Sequence, residues 1–352
     1  MKVFSNNTHF SKLEYIAICS YLFFYGLRGY CFTDMLMYHD IFSNIEKQDF
    51  TQGLLGGFGP GYLYGNLLIH YFTENSFIFQ FLWTLIDVLL LSIILKRECG
   101  TYFLFAFAFL IPFFSGIQIN LFRNIKSILI FFWAIQYVRD RKIIKYFVSI
   151  FIAATFHITA LIYFPIYYFV NKPTYKTHIF ISFLALLFCF IGVRLFYEYF
   201  FMLSILIGGK VEEMTAGYIV NNALEGGLTI GLLYRIILLF ALLGLYNKLT
   251  RVNLSMLNTA LLYLELSVAF NSILVLRDRM SVLFVLGVIC IMPFLINEIK
   301  SYKYGKLIIK LNFLFLLGYV YVQHSMPIAE YENIMFSVPD RSKNEQRIFD
   351  LH

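Results

Sequence analysis

The placement of charge constrains this chain more than any other feature of its sequence. Asp, Glu, Lys and Arg make up 14% of its 352 residues, where a soluble domain carries roughly 25%, and they gather in short clusters between apolar runs. About 20 apolar residues cross the roughly 30 Å of bilayer hydrocarbon. In that layer the backbone must satisfy its own hydrogen bonds, so such runs form helices. Spans are expected near residues 13–31, 77–95, 101–121, 124–138, 179–193, 228–246, 254–273, 281–297 and 306–323. The fold class that follows is an all-α polytopic integral membrane protein, a single membrane domain over residues 1–352. A net charge of +7 could serve nucleic acid, but the cations lie between the runs, where they orient spans; no nucleic-acid partner is expected.

The opening MKVFSNNTHFSKLE is polar and the run after it has no small-residue cleavage site. It reads as a cytoplasmic start anchor, not a removable signal. Cys19, Cys31, Cys99, Cys189 and Cys290 stand singly, without zinc or redox spacing, and neither a metal nor another cofactor is expected.

One run resists a simple assignment. Residues 143–170 are apolar, with His157 at their centre and the basic flanks RDRK and NKPTYK on either side. A single crossing would separate those flanks and turn Lys172/Lys176, Lys248/Arg251 and Lys300/Lys303/Lys306/Lys310 outward, against the positive-inside rule. Two half-length helices that enter and leave by the cytoplasmic face keep every cluster inside. Helix from residue 143 to 157 reaches about 22 Å, short of the far face, so His157 is expected at the tip of a re-entrant or short-helix hairpin. A backbone break at that depth belongs inside protein or beside a water-filled cavity. With the hairpin the count becomes about 10–11 membrane helices. The same parity places residues 28–76, 194–227, 274–280 and the tail 324–352 outside. The stretch GLLGGFGPGYLYGNLLIHYF is too broken by glycine for a span and reads as interfacial or re-entrant; RLFYEYFFMLSILIGGKVEE reads as a membrane-surface helix.

Ionisable side chains at the ends of these runs are the candidates for chemistry. Arg123, in QINLFRNIKS, and Arg277, Asp278 and Arg279, in LVLRDRMS, fall in short outer turns, where guanidinium forks match the oxygens of a lipid diphosphate. Snorkelling, or an Arg–Asp clamp between helices, is the competing reading. His157 reads as a general base or phosphate ligand, or as a partner for backbone freed at the helix break. Asp34 and Tyr38 share a face if RGYCFTDMLMYHDIF is helical, and the carboxylate could activate a hydroxyl or simply cap the helix. Asp87 and Glu265, each alone in its span, read as interhelical hydrogen-bonding groups before proton relays.

In their order, RGYCFTDMLMYHDIF, FGPGYLYGNLL and the stretch from INLFRNIKS to ATFHITALIYFP resemble the EpsG/Wzy group of bacterial polysaccharide polymerases. Motifs carry the resemblance over residues 20–170; beyond that only the span pattern and the late arginine pair do. By position, Arg28, Thr33, Asp34 and Tyr38 match the group's first motif, Arg123 its arginine, and His157, Thr159 and Ala160 its hairpin. Gly59-Pro60-Gly61-Tyr62 lacks the glutamate often found there, and Thr159 stands for serine. The resemblance implies a GT-C-like, metal-independent glycosyltransferase that joins undecaprenyl-diphosphate-linked oligosaccharide repeats at the outer face of the bacterial cytoplasmic membrane. A flippase and a chain-length regulator of the same pathway are the implied partners. Under it, Arg123, Arg277 and Arg279 would stabilise the leaving diphosphate and His157 or Asp34 would take the acceptor's proton. Arg28, Tyr38, Tyr62, Asp278 and Thr159 would bind substrate. A flippase for the same lipids needs the same basic cavity, though no pair of related halves is visible; a membrane O-acyltransferase would want its histidine channel open to the cytoplasm.

Overall fold

The computed structural model describes residues 9–50, 58–192, 229–273, 277–326 and 329–349. They are predominantly helical, with one isolated β-bridge and no strand among the described residues. The protein is an all-α polytopic membrane protein. Four helical stretches, Ser76–Ala108, Tyr246–Ala269, Arg277–Ile299 and Gly305–His324, are long and apolar enough to cross a bilayer, beside several shorter apolar helices. The expected surface helix within residues 194–227 lies outside the described residues. The chain divides into two compact units, Met1–Tyr168 with Ile296–His352, and Phe169–Leu295.

The first unit begins with α1 (Lys12–Gly26), started by a capping box in which Ser11 and Glu14 satisfy each other's backbone amides. After α2 (Asp34–Ser43) and α3 (Pro60–His70), α4 (Ser76–Cys99) starts on the Asn75 side chain and stops at Gly100, whose φ of 55° only glycine adopts freely. That stop separates two expected spans; α5 (Phe103–Ala108) and α6 (Leu110–Asn120) follow. Then come α7 (Asn124–Arg139) and α8 (Ile143–Phe156). Charge sorts the two ends of this bundle. Where α1 begins and α4 and α7 end, Glu14 takes Lys96 at 2.8 Å, and buried Glu98 takes Arg97 at 2.6 Å and Arg139 at 3.0 Å. The opposite end carries Arg28, Asp34 and Arg123.

The hairpin expected at His157 is present. Helix α8 ends at Phe156, and His157 is extended, at φ −152° and ψ 127°. Residues 158–163 and 165–168 form short 3-10 turns that run back along α8. Tyr146 donates to the Tyr163 carbonyl at 2.6 Å, and Phe147 and Phe151 pack on Phe164. At 14 residues α8 is about 21 Å long, too short for a crossing. The glycine-rich stretch also gives a short helix, the 11-residue α3. It packs on the tip of α8 so closely that a Cβ at Gly59 would lie 2.2 Å from the Thr155 carbonyl oxygen, and one at Gly61 2.2 Å from its hydroxyl.

After residue 296 the chain returns to this unit. Helix α13 (Gly305–His324) exposes Leu307, Leu311, Leu314 and Leu317 along one stripe, the face that lipid covers. Behind it the tail packs on the end of α1. Gly29 N–H donates to the Glu332 carbonyl at 2.7 Å, Ile334 N–H to Leu27 at 2.9 Å, and Tyr331 stacks on Phe24. Helix α14 (Arg341–Phe349) ends the described chain. The two segments that span parity places on one side, residues 28–76 and the tail, thus touch.

The second unit contains α9 (Tyr175–Leu187), α10 (Ile230–Gly244), α11 (Tyr246–Ala269) and α12 (Val285–Ile299). Helix α11 starts eight residues before the span expected at 254, but its backbone breaks at Asn253, φ −155°, where charge gives way to apolar sequence. The Asn258 amide donates to the Val170 and Lys172 carbonyls and ties the 169–172 turn to α11. Gly287 lets α12 approach α11 to the point where a Cβ would meet the Thr259 hydroxyl at 2.3 Å.

Candidate functional site

Helix α2 presents Asp34 and Tyr38 one turn apart. Its start is fixed from another element: Asn120, the last residue of α6, accepts the Asp34 N–H at 3.0 Å, and the Thr33 hydroxyl lies 3.1 Å from both Asn120 Oδ1 and Asp34 Oδ1. The Asp34 carboxylate is left at the positive end of α2, half-buried. Tyr38 is buried, and its hydroxyl meets the side chain and backbone of Arg123. Burial pushes this phenol above its ordinary range, Arg123 opposes the push, and Asp34 reinforces it. The group keeps its proton and can donate it as a hydrogen bond.

Arg123 stands just before α7, in the turn that α6 and α7 share. Its guanidinium lies over the Phe58 ring, 4.2 Å from the centroid, a cation–π contact. Phe58 in turn stacks on Tyr62, and Tyr62 meets Tyr38 edge-on at 6.0 Å. An aromatic floor made from α2 and the start of α3 therefore carries the arginine. Phe58 went unnoticed in the sequence, because a phenylalanine before glycine carries no signal of its own in a chain this rich in aromatics.

Behind the floor, Lys126 in the first turn of α7 pairs with Asp87 of α4 at 2.7 Å, both side chains buried. Its ammonium also lies 3.8 Å from the Phe122 ring centroid and 4.9 Å from that of Trp83. Asp87 thus links two helices, in keeping with the sequence reading, but its partner escaped notice: Lys126 is 39 residues away and looks like an ordinary interfacial lysine. Arg28 is fully buried. Its guanidinium donates to the Tyr25 carbonyl, contacts the Met35 sulfur at 3.3 Å and faces Phe122. It joins the end of α1 to α2.

His157 and Thr159 form a local cap. Nδ1 of His157 accepts the Thr159 N–H at 3.3 Å and lies 2.8 Å from the Thr159 hydroxyl. The imidazole thereby satisfies backbone freed at the helix break and holds the bend. Its neighbours Thr155 and Phe156 lie against Gly59, Gly61 and Trp83, which places the bend at the start of α3. The structure thus brings Asp34, Tyr38, Tyr62 and Arg123 together, with Arg28 packed behind them and His157 at the neighbouring bend.

Arg277, Asp278 and Arg279 belong to the second unit. They open its Arg277–Ile299 span as a turn of π-helix. Arg277 Nε donates to Asp278 at 2.7 Å, and the Ser281 hydroxyl bonds the Arg277 carbonyl at 2.6 Å. Asp278 and Arg279 are exposed. In the same unit, buried Glu265 of α11 takes His178 Nδ1 and the Ser182 hydroxyl of α9, each at 3.0 Å, as expected of an interhelical hydrogen-bonding group.

Over residues 13–334 the chain matches the family described as the EpsG family. Neither a curated protein nor a solved structure matches it.

Proposed function

The chain belongs to the EpsG family, and from that premise we propose that it is a polysaccharide polymerase of the cytoplasmic membrane. It transfers a growing glycan from undecaprenyl diphosphate onto the non-reducing-end hydroxyl of another lipid-linked repeat. The acceptor oxygen bonds to the anomeric carbon as the bond from that carbon to the diphosphate oxygen breaks. The electron pair leaves with undecaprenyl diphosphate, and the acceptor proton passes to Asp34.

The observation that carries this reading is the meeting of Arg123 with Tyr38 and Asp34, from segments far apart in sequence, at the end of the bundle opposite the basic cluster. The positive-inside rule assigns that cluster to the cytoplasm and the arginine to the outer face. Charge builds on the diphosphate as the bond breaks, and a cation already fixed on an aromatic floor stabilises it without reorganising. Tyr38 donates to the same oxygens or to the acceptor. Asp34 is the base in this proposal because the Nδ1 of His157 is occupied by its cap; His157 sets the bend. Arg277 and Arg279, at the mouth of their own span, are assigned the same class of ligand, phosphate oxygens.

The test is a deletion strain complemented with variants and examined for surface glycan on gels. Deletion should leave single-repeat material. Arg123→Ala should lose about 10²- to 10³-fold in transfer rate and yield mostly single repeats, whereas Arg123→Lys, which keeps charge without the fork, should give shortened chains. Unchanged chain length with Arg123→Ala would remove the arginine from the mechanism. Loss of all surface glycan on deletion would point to flipping.

A further inference from the structure

Helix α14 docks against α2 and leaves a groove of about 630 Å³ between them. The clasp is Arg341, which takes both Asp40 carboxylate oxygens, at 2.6 and 2.9 Å, and Glu345 at 2.8 Å. Asp40, Arg341 and Glu345 form one side of the rim, and Thr33, Asn44 and Gln48 line it further along. Met37 and Ile348 contribute to an aliphatic floor.

We propose that this groove is a saccharide subsite that holds the sugars of the acceptor beside Asp34. The proposal rests on the polymerase reading above and deepens it. Carboxylates, a guanidinium and carboxamides spaced along a rim are the groups that pair with vicinal hydroxyls, and an aliphatic floor receives the C–H face of a pyranose ring. Asp40 and Glu345, though held by Arg341, keep lone pairs that can accept from sugar hydroxyls; a lipid chain would leave those unused, and an anion would be repelled by them. Ligand pockets generally measure roughly 300–1,000 Å³, and the groove falls in that range. Its position names the occupant: Thr33 lines the groove, and its hydroxyl is 3.1 Å from Asp34 Oδ1. A sugar seated there ends next to the group proposed to take the acceptor's proton.

The full chain in lipid nanodiscs, given lipid-linked single repeats purified from the deletion strain, tests this with two substitutions. Met37, 40% exposed, can become Met37→Trp to fill the groove without entering the core; Gln48→Ala removes a rim amide. Gln48→Ala should raise the KM for single repeats about tenfold, the cost of one hydrogen bond of about 1.4 kcal/mol, and the blocking Met37→Trp should raise it further, each with kcat within about twofold. Saturation-transfer NMR with the delipidated repeat oligosaccharide should show binding to wild type and to Arg123→Ala, and none to Met37→Trp. Wild-type KM in both variants would overturn the subsite while leaving the polymerase reading intact. Oligosaccharide binding that Met37→Trp abolishes, in a protein that makes no polymer, would keep the subsite and overturn the polymerase. Oligosaccharide binding that survives Met37→Trp places the sugar elsewhere and overturns the groove assignment.

Discussion

Asp87 in the first unit and Glu265 in the second are equally buried, at 1% exposure each, yet the chain holds them by different means. Asp87 faces a lysine at 2.7 Å, and that lysine is ringed by Phe122 and Trp83. Glu265 faces an imidazole and a hydroxyl. The lysine lies in the first turn of α7, three residues after Arg123. A lysine–carboxylate pair, whose ends cannot slide without exposing a charge to an apolar surround, is spent where the start of a helix must hold the arginine proposed for the site in place. Where two helices need only be joined, an imidazole and a hydroxyl suffice.

Breaking the ion pair from one side is the sharpest challenge to that contrast. Lys126→Met leaves Asp87 uncompensated and should cost about 3–5 kcal/mol in unfolding titrations with SDS. The double variant Asp87→Leu with Lys126→Met should recover most of that loss. A single variant no worse than the double would show that the pair does not fix α7.

A second test asks whether the same end of the unit also depends on a group held neutral. His39 of α2 is buried between the Ser76 hydroxyl, at 2.8 Å, and the Gln80 carboxamide, at 3.2 Å, and burial pushes its pKa down to about 4 from an ordinary 6.5. Below pH 6.5 the unfolded chain takes a proton that the folded chain refuses. The His39 contribution is therefore complete above pH 6.5 and lost as pH falls toward 4, a decline of about 3 kcal/mol at about 1.4 kcal/mol per pH unit. Melting curves across that window should show the decline, and His39→Gln should flatten it. The smallest effect belongs to the second unit: Ser182→Ala, with His178 still in place, should cost about 1 kcal/mol in the same titrations. A loss as large as that of Lys126→Met would erase the contrast.

Much of the fold was legible in the sequence because hydrocarbon tolerates so few alternatives. Apolar runs marked the helices, the Lys and Arg clusters marked their ends, and basic flanks on both sides of residues 143–170 required the fold-back that Phe147 and Phe151 make against Phe164. The site was legible in part. Asp34, Tyr38 and Arg123 carried motif signals and do meet. Phe58 beneath the arginine and Lys126 behind it sit within FGPGYLYGNLL and INLFRNIKS without a signal of their own, since an aromatic floor and a long-range ion pair are properties of packing. Arg28 shows the reverse: a motif position whose guanidinium is spent on the Tyr25 carbonyl and Met35 reads the same in sequence as one that meets a ligand. The docking of α14 on α2 was illegible too, because complementary charges such as Arg341 and Asp40, some 301 residues apart, occur in many combinations along any chain.

The bend at His157 has a consequence for biosynthesis. An excursion that turns back on itself adds nothing to the tally of bilayer crossings, so excising residues 143–168 whole should leave every downstream loop on its original side. Straightening the bend into one continuous helix, about 39 Å long at 1.5 Å per residue, would do the opposite and invert the orientation of all that follows. On the re-entrant reading, an imidazole that holds a single backbone amide, that of Thr159, becomes a determinant of how the nascent chain is threaded.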